Sequence, residues 1–288
     1  MSISEALGER KEVTLPQGTI SYRERGAGEP IVFIHGLLVN GDLWRKVVPE
    51  LAKDYRCIVP DLPLGSHTRA MSPDADLSPY GLAKLIDDFL AALDLHDVTL
   101  VGNDTGGALC QIVVTRHPER IGRLVLTPCD YGDNFPPAFF KYLLAPAALP
   151  GGAVAMLQPM RFRAVRNSPM GFGWLSKKGI DGEITDSWLR PARTDAAIRR
   201  DLTKVMRGVN KRYTLEAAEK LGGFGRPVLL VWTPEKDFFK LEHAEAMEKT
   251  FPDARLERIE DSYTFVPEDQ PEQLARLIAD FARRPVAA

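Results

Sequence analysis

The chain has 288 residues, 44% hydrophobic and 26% charged, with a formal net charge of −2. This is enough for one large domain with a sizeable core and room for an insertion. The balanced charge gives no electrostatic ground for nucleic acid or an anionic membrane as partner, and no apolar run reaches the ~20 residues of a spanning helix.

Met1 to Val13 is polar and charged, unlike a signal peptide. Cys57, Cys110 and Cys129 each lie in an apolar run and read as buried thiols of a reducing compartment. A cytoplasmic protein is expected, monomer or homodimer, with a small molecule as its partner. No nucleotide fingerprint, CxxC pair or histidine cluster appears, so neither cofactor nor metal is expected.

In chain order, Glu12–Leu15 and Thr19–Glu24 are strand patterns joined by the Pro16-Gln-Gly18 turn. Pro30–Ile34 is an unbroken apolar run, the mark of a strand buried on both faces. Asp42 is placed to cap a helix through Lys53, and Tyr55–Val59 is a second buried strand. Ser78-Pro79 opens a helix to Leu95 with apolar residues at Leu82, Leu85, Ile86, Phe89, Leu90 and Leu93. Val98–Asn103 is a strand, its following helix ends near His117-Pro118, and Arg123–Thr127 is the next strand. From Asp133 to about Arg212 the pattern is helical only, split by prolines and glycines. Strands return at Pro227–Trp232 and Arg255–Ile259, and Pro271–Arg283 is a closing helix. This alternation predicts an α/β fold with a mostly parallel eight-stranded sheet. The core would comprise 1–132 and 213–288, with a helical cap over 133–212.

The densest information lies in Gly102-Asn103-Asp104-Thr105-Gly106, between a strand and a helix. The glycines permit a turn too tight for a Cβ. The apex residue, Asp104, then stands at a helix N-terminus, where free N–H groups favour negative charge. This is the layout of a nucleophile elbow with Asp in place of Ser. Ligand sites in such sheets lie at the carboxyl ends of the strands. The loops there carry His35-Gly36-Leu37, His67, Asp104-Thr105, Cys129-Asp130 and Asp237. Of the five histidines, His35 is assigned to structure. His96, His117 and His243 fall on the wrong edge or on the surface, and His67 alone follows a strand on the catalytic edge. Phe139, Phe140, Met156, Met160, Phe172 and Trp174 are assigned to packing ahead of pocket lining.

These loops, in order and spacing, resemble the α/β-hydrolase fold over nearly the whole chain. The Asp elbow resembles haloalkane dehalogenases and epoxide hydrolases, as does His35-Gly36 followed by Leu43-Trp44-Arg45. The resemblance implies that Asp104 attacks carbon to form an ester, which a histidine-activated water then cleaves. It implies an oxyanion hole from the backbone N–H groups of Leu37 and Thr105, and Asp237 or Asp130 as the supporting acid. The family histidine, however, aligns with Thr264 in Asp261-Ser-Tyr-Thr-Phe265, and a threonine is no base near neutral pH. The halide-binding pair is also absent: Leu37 stands where dehalogenases often carry Asn, and Thr105 where they carry Trp. Thr264, Tyr263, His67, Trp44 and Tyr142 are expected in the substrate pocket. The expectation is a hydrolase-family enzyme with atypical catalysis through Asp104 on a small, largely apolar molecule. A non-hydrolytic lyase, isomerase or cyclase using Asp104 as base, and a ligand-binding sensor, remain alternatives.

Overall fold

The computed structural model describes residues 2–149, 151–235 and 238–284. Eight strands form one sheet: β1 (Glu9–Leu15), β2 (Gly18–Arg25), β3 (Pro30–Ile34), β4 (Arg56–Pro60), β5 (Val98–Asp104), β6 (Ile121–Cys129), β7 (Val228–Trp232) and β8 (Ala254–Arg258). Their order is β1-β2-β4-β3-β5-β6-β7-β8. β2 pairs antiparallel with β1 and β4, and the remaining pairs are parallel.

The apolar runs explain the layering. Side chains alternate across a strand, so Val32 and Ile34 enter one core while Ile31 and Phe33 enter the other. Helices cover both faces. Helix Pro79–Ala92 places Leu82, Leu85, Ile86 and Phe89 in the first core. Helix Pro271–Ala282 places Leu274, Ile278 and Phe281 in the second. The first of these starts as expected, with Ser78 Oγ accepting from Gly81 N–H. It stops at Ala92 rather than Leu95, because Asp94 adopts a left-handed φ of 49°.

Asp42 does not cap a helix. Asn40 takes that role for a short 3₁₀ turn, Gly41–Trp44. The Asp42 carboxylate instead accepts from the backbone N–H groups of Ile3 and Ser4, each at 2.8 Å, and so ties down the N-terminal segment. All three cysteines are free and buried.

Between β6 and β7 the chain makes a helical excursion over the carboxyl ends of the strands. Its main helices are Ala138–Ala147, Gly152–Leu157, Gly182–Thr194 and Ala196–Gly208, followed by Lys211–Lys220, which returns to the sheet. Two carboxylates pin it. Asp201 accepts from Met71 N–H at 2.8 Å and pairs with His67. Asp269 accepts from Ser176 Oγ–H and from the N–H groups of Lys177 and Lys178. Among the described residues no helix is long and apolar enough to cross a membrane.

Candidate active site

The site is built on the turn from β5 into helix Thr105–Arg116. Asp104 has φ 55° and ψ −133°, a conformation that costs of order 1–3 kcal/mol for a residue with a side chain. The surroundings enforce it. A Cβ on Gly106 would lie 2.5 Å from the carbonyl oxygens of Ile34 and His35, so only glycine lets the helix start this close to β3. A side chain on Gly36 would run into the Asp104 carboxylate itself. Asp104 is thereby thrust off the sheet edge, next to helix N–H groups that have no intrahelical acceptor.

β5 and β6 are parallel neighbours, with Asp104 opposite Cys129. The next residue, Asp130, therefore emerges beside Asp104. Both line a cavity of about 80 Å³, counted as room for water centres; one water needs roughly 10–15 Å³ on that measure. Leu37, Leu38 and Thr105 complete the floor, and the excursion supplies the roof, including Phe140, Leu144, Met156, Met160 and Phe172. Asp104, Thr105 and Asp130 bring the polar side chains; the other described lining residues are apolar. Burial, and next the negative charge of Asp104, hold the Asp130 carboxyl well above the usual carboxylate range. Its Oδ1 is buried with no hydrogen-bond partner among the described residues.

Asn103, one residue before the apex, is a clamp that the sequence did not single out. Its Nδ2 donates to Thr127 Oγ1 and to the carbonyl oxygen of Thr264, both at 2.8 Å. This holds the fully buried Thr264 against the elbow strand. The turn carrying Thr264 is fixed in turn by Asp269, which accepts from Tyr263 N–H at 3.0 Å, and by Glu268, which pairs with Arg45 and with Lys46 at 2.8 Å. Neither acid carries a local signal of this role, because the partners of Glu268 and most of those of Asp269 lie far along the chain.

Thr264 is not itself among the described lining residues, and the other expected residues also lie elsewhere. His67 is buried off the cavity wall, with Nε2 3.2 Å from Asp201 Oδ2; burial pushes its ring pKa down, so the neutral imidazole donates to the carboxylate. Trp44 is fully buried against Phe33, at 5.2 Å between ring centres, and does not reach the cavity. Tyr142 is 83% exposed on the outside of the excursion. Tyr263 sits near Lys177 and is likewise not a lining residue. His35 is structural: Leu62 N–H donates to Nε2, which leaves Nδ1–H to donate to Gly36 O. Asp237 lies outside the described residues. Of the excursion residues assigned to packing, Phe140, Met156, Met160 and Phe172 line the cavity, while Phe139 and Trp174 pack on Phe238. The reason is geometric: a side chain on the inner surface of a roof serves packing and pocket together.

The sheet order, the elbow and the overlying helices define the class. A model of the alpha/beta hydrolase fold matches residues 29–271, and the chain belongs to that family. Over 113 residues it is 37% identical to a haloalkane dehalogenase of Mesorhizobium japonicum, covering 39% of this chain and 36% of that protein. Over 119 residues it is 39% identical to a 2-hydroxymuconate semialdehyde hydrolase of a Pseudomonas species, covering 40% of this chain and 41% of that protein. The match thus spans well under half of either relative. The crystal structure of the haloalkane dehalogenase DatA from Agrobacterium tumefaciens superposes with a TM-score of 0.79 at 23% identity, covering 96% of this chain and 98% of that one, which shows the shared fold. By this kinship the chain is a hydrolase-family enzyme related to dehalogenases and semialdehyde hydrolases.

Proposed function

We propose that this enzyme acts on a small, largely apolar molecule through Asp104, with no histidine in its catalytic set. The observation that carries the reading is the Asp104 carboxyl, held in a strained turn on the floor of an apolar cavity. Small-molecule sites have this make-up, an apolar enclosure with a few converging polar groups. Residues 133–212 act as its cap, over a core of 1–132 and 213–288. Leu37 and Thr105, both on the floor, supply the backbone N–H groups for a developing oxyanion.

The missing histidine sets the chemistry. Thr264 stands for it, and the bond from Asn103 to the Thr264 carbonyl supports that alignment by keeping residue 264 beside the elbow. Without an imidazole, an ester formed on Asp104 has no strong base to activate water. Losing a general base typically costs about 10²–10⁴-fold. Turnover then uses Asp104 as a base for a step that needs no hydrolysis, or a slow hydrolysis by another group. Hydrolysis of ordinary esters is weak or absent.

The test is a screen of haloalkanes, epoxides, esters and carbonyl compounds, followed by intact-protein mass spectrometry. An adduct on Asp104 identifies a nucleophile. Turnover without adduct, abolished in Asp104→Asn, identifies a base. Tight binding with no turnover of any class would replace the enzyme reading by a sensor. A gain of ester hydrolysis in Thr264→His would support the alignment.

A further inference from the structure

Resting on the reading that Asp104 is the working residue, we propose that Asp130 is a catalytic proton donor. It hydrogen-bonds and protonates the oxygen of a small apolar carbonyl compound while Asp104 takes a proton from the adjacent carbon.

Four observations carry this. Asp130 follows Cys129, the strand partner of Asp104, so the two carboxyls share the cavity floor. Asp130 is 1% exposed, yet its Oδ1 has no partner among the described residues while the residue lines the cavity. A buried ionised carboxylate left short of donors is costly, and a neutral acid is far less so. The other deeply buried acids of this chain are treated differently. Asp61 accepts from Ser2 N–H and Gly41 N–H, and Asp269 accepts on both oxygens. Finally, no histidine is among the described lining residues, so an acid here has no imidazole to orient. Burial and the charge of Asp104 both favour the protonated form. Two neighbouring carboxyls pushed apart in this way form a matched acid and base.

The step balances without a co-reactant. The C–H bond beside the carbonyl breaks and its proton goes to Asp104. The released electron pair forms C=C, and the carbonyl π pair takes the proton of Asp130. The pair carries one negative charge before the step and one after it, moved from Asp104 to Asp130. If the Asp104 carboxyl first trades its proton with solvent water, its return to the same carbon gives hydrogen exchange; its return to a conjugated carbon gives isomerisation, and in either case the enol proton goes back to Asp130.

Two readouts test it on the full chain. The first is infrared difference spectroscopy near neutral pH. The protonated-carboxyl stretch is expected in the wild type and is expected to be lost in the near-isosteric Asp130→Asn. The second is α-deuteration of cyclohexanone and 2-heptanone in D₂O, followed by NMR. Wild type is expected to exceed buffer, and Asp130→Leu to fall by about 10²-fold. Asp130→Asn, which keeps a neutral N–H donor, is expected to fall less. Circular dichroism confirms that both variants are folded. A wild type lacking the band, or a band unchanged in Asp130→Asn, overturns the neutral acid. Exchange abolished by Asp104→Asn but unaffected in Asp130→Leu overturns the donor and leaves the Asp104 reading standing. Exchange no faster than buffer for both ketones overturns the carbonyl assignment.

Discussion

The helical turn Val266–Asp269 and the floor of the cavity each hold two acidic side chains, and they differ in how far those are met by donors. Glu268 and Asp269 are buried and saturated: an arginine and a lysine meet the first, and backbone N–H groups and hydroxyls surround the second. Asp104 and Asp130 face an apolar cavity, and Asp130 has an oxygen with no described partner. Asp130 is as deeply buried as Glu268 and Asp269; what sets it apart is the oxygen left without a donor among the described residues. A satisfied buried carboxylate is a fastener, whereas a buried carboxyl short of donors is held ready for something absent.

Exchanging side chains between these two behaviours gives the sharpest tests. The largest effect is expected for Asp104→Asn. Activity should fall by about 10²–10⁴-fold, with the thermal midpoint unmoved or raised, because the amide removes one of two neighbouring acids. Loss of folding in that variant would break the contrast. Asp269→Ala should do the reverse, leaving four or more donors of residues 176–178 and 263 unpaired. A loss of about 4 kcal/mol or more is expected by urea unfolding, since each orphaned donor costs upward of about 1 kcal/mol.

A titration sharpens the contrast further. His35 is buried with both ring nitrogens bonded, and burial pushes its pKa down to about 4 from an ordinary 6.5. Its native pKa lies below the unfolded one, so its contribution is complete above pH ~6.5 and is lost as the pH falls toward 4, by about 3 kcal/mol. His35→Gln should flatten this part of the stability–pH curve. The smallest effect is expected at Asp130. Its native pKa is raised, so its contribution is complete below the unfolded pKa near 3.9 and declines as the pH rises through the native value. Asp130→Asn should therefore raise the thermal midpoint at alkaline pH and leave it unchanged in acid.

What was legible in the sequence follows from distance along the chain. The central strands are visible because unbroken apolar runs such as Pro30–Ile34 and Val228–Trp232 must be covered on both faces. The elbow is visible because its requirements fall within a few residues of Asp104. Thr105 and Asp130 reach the cavity because each directly follows a strand end, and Leu37 because it lies three residues past one, where position decides direction. Trp44, Tyr142 and Tyr263 do not reach it, since their orientation depends on what the excursion packs against. Asn103 and Asp269 were hidden for the same reason: Asn103 acts across 161 residues and Asp269 across about 90. Asp42 misled because an acid before an apolar stretch is also the signature of a cap, and here the N-terminal segment claimed it.

The two carboxylate pins on the excursion have a mechanical consequence. Asp201 fastens it to the loop at 67–71 and Asp269 fastens residues 176–178 to the turn after β8. A roof bolted on two sides does not swing open as a hinged door. The remaining wall, where Met156, Met160 and the 59% exposed Met170 meet, is made of unbranched thioether chains with low rotational barriers. Traffic to the cavity is thereby a matter of side chains turning aside one at a time. Its rate should depend on the girth of the visitor more than on its length.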